Sequence, residues 1–583
     1  MQRSTLALLL ASALPLAGGA ARANPALVGS APIPEAVAPA EDGIVLPATL
    51  SAGPMFRAHP KPRPPLAPPP SDITLGAPTL PDPMPAALQA ALASLDTGKS
   101  SRREAERLAL TDFYSARAFA PLYIQEGVVT PAGRAVLARL ARAGEDGLDP
   151  AAYRVTSIAA DGSVVARGAD GAAAAEVDLQ RAVLTFARHA QSGRLSPRAV
   201  SPLITADPEV PEPAEVLVRV STASDPAAAL DSFNPPHEQF RRLKAELAKV
   251  RASGRSPDDP PIPRGPALEP GDIDPRVANV RTRLKLPATG APDYYDAALV
   301  DAVKAAQKKA GLKPDGRITG RTLSALEGHA PVNASEADIV ASMERWRWLP
   351  RDLGSEHVFV NIPDYQLKVV RNGRETYRGR VIVGKDKTQT PIFSNAIRFL
   401  VVNPYWNVPI SIASKEMLPN IRANPNAYFS RRGYEVVMNG KVVSPSSVSW
   451  NEKTIRQVRI RQKPGDDNAL GNIKFMFPNE HAVYLHDTPS RGLFANATRA
   501  YSHGCVRVDN PFEFADALFA EEPGWNGARL KSLIGGRERR VDLARPVPVH
   551  LAYFTHWVND HGRVEVRPDL YGHHARTKKL LGY

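Results

Sequence analysis

In the first half of the chain, apolar residues recur every three to four positions. The stretches "MPAALQAALASL" at 84–95, "GRAVLARLARAGEDGLDPAAY" at 133–153 and "EVDLQRAVLTFARHAQSGRLSP" at 176–197 each carry such a stripe, and the last stops at Gly193. This spacing predicts amphipathic helices. Together they make a helical scaffold domain over 85–250, interrupted by a loop at 160–171 and without chemistry of its own. A second helical set occupies 274–328: Val277, Val280 and Leu284 form one stripe, Leu299, Val303 and Ala306 another, and Thr319 is placed to cap a third short helix. From about Glu356 the period changes to two. The run "EHVFVNIPDYQLKVVRNGRETYRGRVIVG" at 356–384 alternates around Arg371-Asn372-Gly373, a hairpin signal, and 397–409 and 472–487 continue the alternation. A β-rich domain with few helices is expected over 356–545, with an insertion at about 411–457 suited to a lid, and a C-terminal extension over 546–583 packed on the scaffold or catalytic domain. The expected fold class is therefore multi-domain α+β.

The intervening segments lack such periodicity. Residues 24–84, exemplified by "HPKPRPPLAPPP", read as a Pro/Ala-rich disordered tether, and 251–273 as a Pro/Gly/Asp linker. The opening residues combine a short apolar run with Ala21-Arg22-Ala23, a small-x-small pattern that predicts a signal peptide over 1–23. No other stretch reaches the roughly 20 apolar residues of a membrane span, so none is expected after signal cleavage. The net charge of +13 over 583 residues comes from arginines spread along the chain, without interleaved aromatics. That argues against nucleic acid and for an anionic cell-surface polymer or membrane headgroups as counterpart.

Export changes the meaning of Cys505, the only cysteine. A single thiol in an oxidising compartment can form no internal disulfide, so it is either used or hidden. In "HAVYLHDTP", Tyr484 and His486 share one face of a strand. In "SHGCVRVDNPFEFADALF", a turn leads into a short strand and then a helix entered through Asp509 or Asn510, with Pro511 at its first position. Three roles compete for Cys505: a buried small hydrophobe, a zinc ligand with His486 and His503, or the nucleophile of an acyl transfer. The setting is polar, and Gly504 lets backbone N–H groups approach a substrate carbonyl, which favours the third role with no metal and no cofactor. Arg507, two residues on, is a candidate for holding a substrate carboxylate.

The segment "HDTPSRGLFANATRAYSHGCVRV" at 486–508 resembles the active-site signature of the L,D-transpeptidases. The segments "ERWRWLPR" at 344–351, "VNPYWNVP" at 402–409, "RQKPGDDNALGNIKFMFPN" at 461–479 and "FYSARAFAPLY" at 113–123 resemble the large multi-domain Gram-negative branch of that family. The run "AVKAAQKKAGLKPDGRITGRTLSAL" at 302–326 resembles a peptidoglycan-binding domain, with Ala306-Gln307 where the family's usual pattern has Phe-Gln.

The resemblance implies a β-sandwich-like catalytic domain in which Cys505 is the nucleophile and His486 the general base and acid. The Asp487 carbonyl would orient the imidazole, His503 and Gly504 would support the oxyanion site, and Tyr484 and Arg507 would contact substrate. It further implies a periplasmic enzyme of cell-wall biogenesis and cell shape that needs no cofactor. Peptidoglycan tetrapeptide stems would be donor and acceptor, and other cell-wall synthesis enzymes possible partners. The implied reaction releases D-Ala, leaves a thioester and forms a 3→3 cross-link. Carboxypeptidase, endopeptidase or lipoprotein-attaching activity on the same stems, or a non-catalytic wall-binding role, are the alternatives.

Overall fold

The computed structural model describes residues 82–252, 262–263, 265–326 and 334–583, so the expected signal peptide, most of the tether and part of the linker lie outside the described residues. The expected α+β class is what the structure has: two helical units followed by a β-rich one.

In the first unit the helix Gly168–Ser192 is central. Its residues Ala172, Ala173 and Ala175 are buried with Leu88 and Leu92 of the helix Met84–Ala93 in one apolar core. The loop expected at 160–171 ends at Arg167, because the helix starts at Gly168, eight residues before the stretch read as periodic. Glu176 is fully buried on this helix, where its carboxylate accepts the backbone N–H groups of Leu122, Tyr123 and Ile124 at 2.8–2.9 Å and the Tyr114 hydroxyl at 2.5 Å. Four donors offset the cost of burying that charge.

The second unit comprises the helices Arg276–Arg283, Ala297–Lys309 and Gly320–Leu326, with Val277, Val280, Leu299 and Val303 fully buried. Thr319 Oγ1 accepts the Thr322 N–H at 3.3 Å, capping the third helix. Gln307 is the polar centre: its amide nitrogen donates to the Arg317 carbonyl at 2.9 Å and to Thr322 Oγ1 at 3.2 Å, while its oxygen accepts the Gly316 N–H at 2.9 Å. The neighbouring Ala306 lies at the edge of the core, so the absent aromatic leaves the bundle intact.

The β-rich unit is built from strands β1 (Glu356–Asn361), β2 (Gln366–Arg371), β3 (Arg374–Gly384), β4 (Phe393–Val402), β5 (Trp406–Asn407), β6 (Tyr434–Met438), β7 (Lys441–Val443), β8 (Arg459–Gln462), β9 (Ile473–Met476), β10 (Leu485–His486), β11 (Ala500–Ser502), β12 (Val506–Val508) and β13 (Arg539–Ala552). Asn372 and Gly373 turn β2 into β3 with φ of 50° and 74°, the positive pair that a two-residue hairpin requires. One mixed sheet runs β11-β3-β12-β10-β9-β4-β13-β1-β2, and β2 also pairs with β3. The sheet thus closes on itself, and its alternate residues fill a single core that contains Val358, Leu367, Ile397, Phe475 and Leu485.

The insertion combines both kinds of element: the helices Leu418–Ala423 and Pro425–Arg431 precede a second sheet of order β5-β8-β6-β7. Trp406, Phe429 and Tyr434 pack its two parts together. One expectation needs correction: the boundary expected at 545/546 falls inside β13, which lies between β4 and β1 in the middle of the sheet. Pro546, which has no N–H to donate, falls within the register shift between Asp542 and Val547, and Pro548 follows it in register opposite Ala396.

The units are joined by "ERWRWLPR", whose charged residues Glu344, Arg345 and Arg347 are buried. Glu344 accepts the N–H groups of Arg194 and Leu195 at 2.6 and 2.7 Å, and Arg347 donates to the carbonyls of Ala190 and Asp146 at 3.1 and 2.7 Å. Arg345 donates to the Tyr553 carbonyl at 2.7 Å and to Thr577 Oγ1 at 3.0 Å, fastening the C-terminal helix His573–Leu581. Nearby, Asp338 takes the Ser335 N–H and hydroxyl on one oxygen, and His574 and Lys578 on the other.

Acid sensitivity follows from this packing. Burial lowers His237, His550, His556 and His573 from the ordinary 6.5 to about 4. They are neutral in the folded chain, whereas the unfolded chain protonates them near 6.5. Their contribution to stability is therefore complete above about pH 6.5 and is lost as pH falls towards 4. Calorimetric melts are expected to show Tm dropping steeply between pH 7 and 5; a flat Tm over that range would contradict the burial of these rings.

Candidate active site

Strands β9, β10 and β12 lie side by side. Antiparallel pairing sets Lys474 opposite His486, and parallel pairing sets His486 opposite Arg507 and Leu485 opposite Val506. Residues directly opposite each other project to one face, so Lys474, His486 and Arg507 form a row across three strands. The Val506 N–H donates to the Tyr484 carbonyl at 3.1 Å, extending the pairing by one step. By two-residue alternation, Tyr484 and Cys505 then adjoin His486 and Arg507 on that face, while Leu485 and Val506 enter the core. All are buried, Cys505 and His486 completely. The Tyr484 ring meets the His486 ring edge-on at 5.7 Å and lies 5.8 Å from the Lys474 ammonium.

Asp487 holds the histidine in two ways. Its carbonyl meets His486 Nδ1. A carbonyl only accepts, so Nδ1 carries the proton and Nε2 of the neutral ring keeps its lone pair for taking up another. The Asp487 carboxylate accepts the Asn472 N–H at 2.9 Å, the Thr488 N–H at 2.7 Å and the Arg491 guanidinium. Burial pushes this carboxyl above its ordinary range, and the hydrogen bond from Asn472 and the charge of Arg491 pull it back. Gly471 makes room for it: φ there is +61°, and a Cβ would overlap the carboxylate.

Gly471→Ala is therefore expected to destabilise the chain by about 1–3 kcal/mol and to lower activity by displacing Asp487. Gly492, where an added Cβ meets nothing within 4 Å, is the control. Equal melting temperatures for Gly471→Ala and Gly492→Ala would refute the packing role.

The turn before Cys505 is closed by Ser502, a residue that sequence reasoning passed over although it opens Ser-His-Gly-Cys. Its buried hydroxyl donates to the Cys505 carbonyl at 2.5 Å and accepts the Gly504 N–H at 3.1 Å. The Gly504 N–H is thus engaged inside the turn rather than pointed at a reacting carbonyl. Glycine is required there for another reason, a φ of 121°. The Ser502 carbonyl accepts the Lys385 N–H and the Thr388 hydroxyl, each at 3.0 Å, anchoring the turn to the segment after β3.

His503 is half-buried, and its Nε2 meets Glu416 Oε1 of the insertion at 2.9 Å. That contact ties the turn before Cys505 to the insertion. Among the described residues, the cluster with metal-ligand spacing is Asp338, His556 and His574, not the trio of His486, His503 and Cys505. In that cluster the Asp338 oxygens are already occupied, one of them by the Lys578 ammonium at 2.6 Å. At the helix Pro511–Leu518 the N-cap is Asn510, without a side-chain bond; Asp509 instead pairs with Arg380 at 2.6 Å.

Lys474 was also missed. Its signal is a lone cation in the apolar run "IKFMF", where strand alternation with Ile473 and Phe475 inside turns it to the face of His486.

Comparison with known proteins adds three family matches. Residues 355–521 match the family described as L,D-transpeptidase catalytic domain, 275–326 the "Putative peptidoglycan binding domain" and 108–247 the scaffold domain. Over 219 residues the chain is 39% identical to a "Putative L,D-transpeptidase" of Haemophilus influenzae, covering 37% of this chain and 44% of that protein. The match thus spans less than half of that relative's length. A crystal structure of the L,D-transpeptidase (residues 123–326) from Xylanimonas cellulosilytica is 18% identical, with 50% of this chain and 99% of that one covered, at a TM-score of 0.15. That score carries no structural argument.

Proposed function

From the match of residues 355–521 to the L,D-transpeptidase catalytic domain, we propose that the chain forms 3→3 cross-links between peptidoglycan stems through a thioester on Cys505. The observation that supports the reading is the register of β10 against β12, which pairs His486, its Nδ1 held by a carbonyl, with Arg507, two residues after the chain's one thiol.

His486 Nε2 takes the thiol proton, and the thiolate attacks the carbonyl joining diaminopimelate, the third stem residue, to the terminal D-Ala. As the tetrahedral intermediate collapses, the same imidazole returns the proton to the departing D-Ala amine. The diaminopimelate amine of a second stem then attacks the thioester, giving its proton to His486 while Cys505 leaves as thiolate and is reprotonated. Arg507 and Lys474, flanking His486, supply positive charge for the substrate carboxylates. The insertion tied to the turn through His503 and Glu416 acts as a lid that keeps water from the thioester, and the 275–326 bundle holds the wall nearby. The compartment is the periplasm, reached through the N-terminal signal.

Incubation of the mature chain with tetrapeptide muropeptides, read by mass spectrometry, tests the proposal. Cross-linked dimers with loss of D-Ala are expected. Tripeptide monomers alone would indicate a carboxypeptidase, and no Cys505-dependent product would leave only wall binding.

A further inference from the structure

A second charged cavity lies outside the catalytic unit. Between the helix Ser101–Ser115, the segment 152–156 and the helix Gly168–Ser192 is a cavity of about 440 Å³. It is within the range of small-ligand pockets. Arg102, Arg103, Arg154, Arg181 and Arg188 line it, converging from three elements. Among the described residues none of the five guanidiniums has a carboxylate partner within 4.0 Å, although most arginines of this chain's core are paired or hydrogen-bonded. Arg188 Nε is buried and without a hydrogen-bond partner. Burial and the nearby charge of Arg102 lower the Arg188 pKa, so the charged form is held there at a cost that a bound anion would offset.

Two carboxylates, Glu106 and Asp178, share the lining. Asp178 uses Oδ2 for the Ser157 hydroxyl at 2.9 Å, and its second oxygen makes no bond among the described residues. A pure polyphosphate or a phospholipid headgroup surface would be repelled by these acids. A peptide with several carboxylates and one free amine matches both signs at once.

We propose that this cavity binds an acidic peptide, its carboxylates on the arginine cluster and its ammonium on Glu106 and Asp178. Such a site would hold a strand of wall apart from the one being processed, so that the scaffold unit contributes substrate retention. Identifying the peptide as a wall stem rests on the function proposed above; the charge pattern of the cavity does not.

The probe is the synthetic tripeptide N-acetyl-L-Ala-γ-D-Glu-meso-diaminopimelate, whose one free amine is that of diaminopimelate, titrated calorimetrically into the full chain. The double variant Arg102→Ala/Arg181→Ala, altered only at exposed side chains, is expected to weaken binding about tenfold or more, with carbapenem acylation of Cys505 unchanged. Glu106→Gln is expected to weaken this probe but not the form also acetylated on its diaminopimelate amine. Undiminished affinity in the double variant would overturn the site, as would pyrophosphate binding there more tightly than the tripeptide. If muropeptide cross-linking fails while the double variant still loses the tripeptide, the function proposed above falls and the cavity assignment stands.

Discussion

Cys505→Ser is expected to abolish D-Ala release and cross-linking, a loss of about 10⁴-fold or more, and to remove the carbapenem adduct from the intact mass. The substitution exchanges one atom at a fully buried position, and the Ser502 hydroxyl bonds the backbone carbonyl of residue 505 rather than its side chain. The fold therefore has no reason to change, and the melting temperature should stay close to that of the parent. What changes is acidity: an imidazole can take a thiol proton near neutral pH but leaves an alcohol largely protonated unless further machinery assists. Retention of parental turnover by a correctly folded Cys505→Ser chain would remove the thioester from the reaction.

His486→Ala is expected to lower turnover by about 10²–10⁴-fold, while His503→Ala costs less than about tenfold. His486 has a ring nitrogen held by a backbone carbonyl and a strand position paired with Arg507, in the segment after Cys505. The His503 ring faces Glu416, so its loss should loosen the insertion and show chiefly as more hydrolysed tripeptide relative to dimer. The pH profile separates the two roles further, because removing a general base erases the acidic limb of turnover, whereas loosening a lid leaves that limb in place. The reverse ranking of the two variants would transfer the proton-carrying role to His503.

The buried row of Lys474, His486 and Arg507 bears on substrate choice. Two cations beside the histidine suit a stem rich in carboxylates and would disfavour a cationic donor. The same sign recurs in the arginine cavity of the scaffold, so the two sites would select for one acidic polymer from separate faces of the molecule.

Local periodicity and motif content were legible in the chain alone. Three-to-four spacing found the scaffold helices, two-residue alternation with Asn372-Gly373 found the first hairpin, and a lone thiol within Ser-His-Gly-Cys marked the candidate nucleophile. These features depend on neighbours within about one turn or one strand, and such neighbours are written consecutively. Long-range pairing was not legible. That β13 crosses the middle of the sheet despite Pro546 and Pro548 depends on a register shift against β4. That Lys474 stands beside His486, and that His503 turns to Glu416, depends on which strands and insertion come together over separations of 12 and 87 residues. Burial of Glu344, Arg345 and Arg347 is similar: in sequence they look like a solvated face, and only partners supplied by the scaffold and the C-terminal helix make the interior tolerable. By itself the sequence determined which elements form and which chemistry is present. The tertiary structure alone decided which charges meet, because a charge's environment is set by whatever folds against it rather than by the residues next to it in the chain.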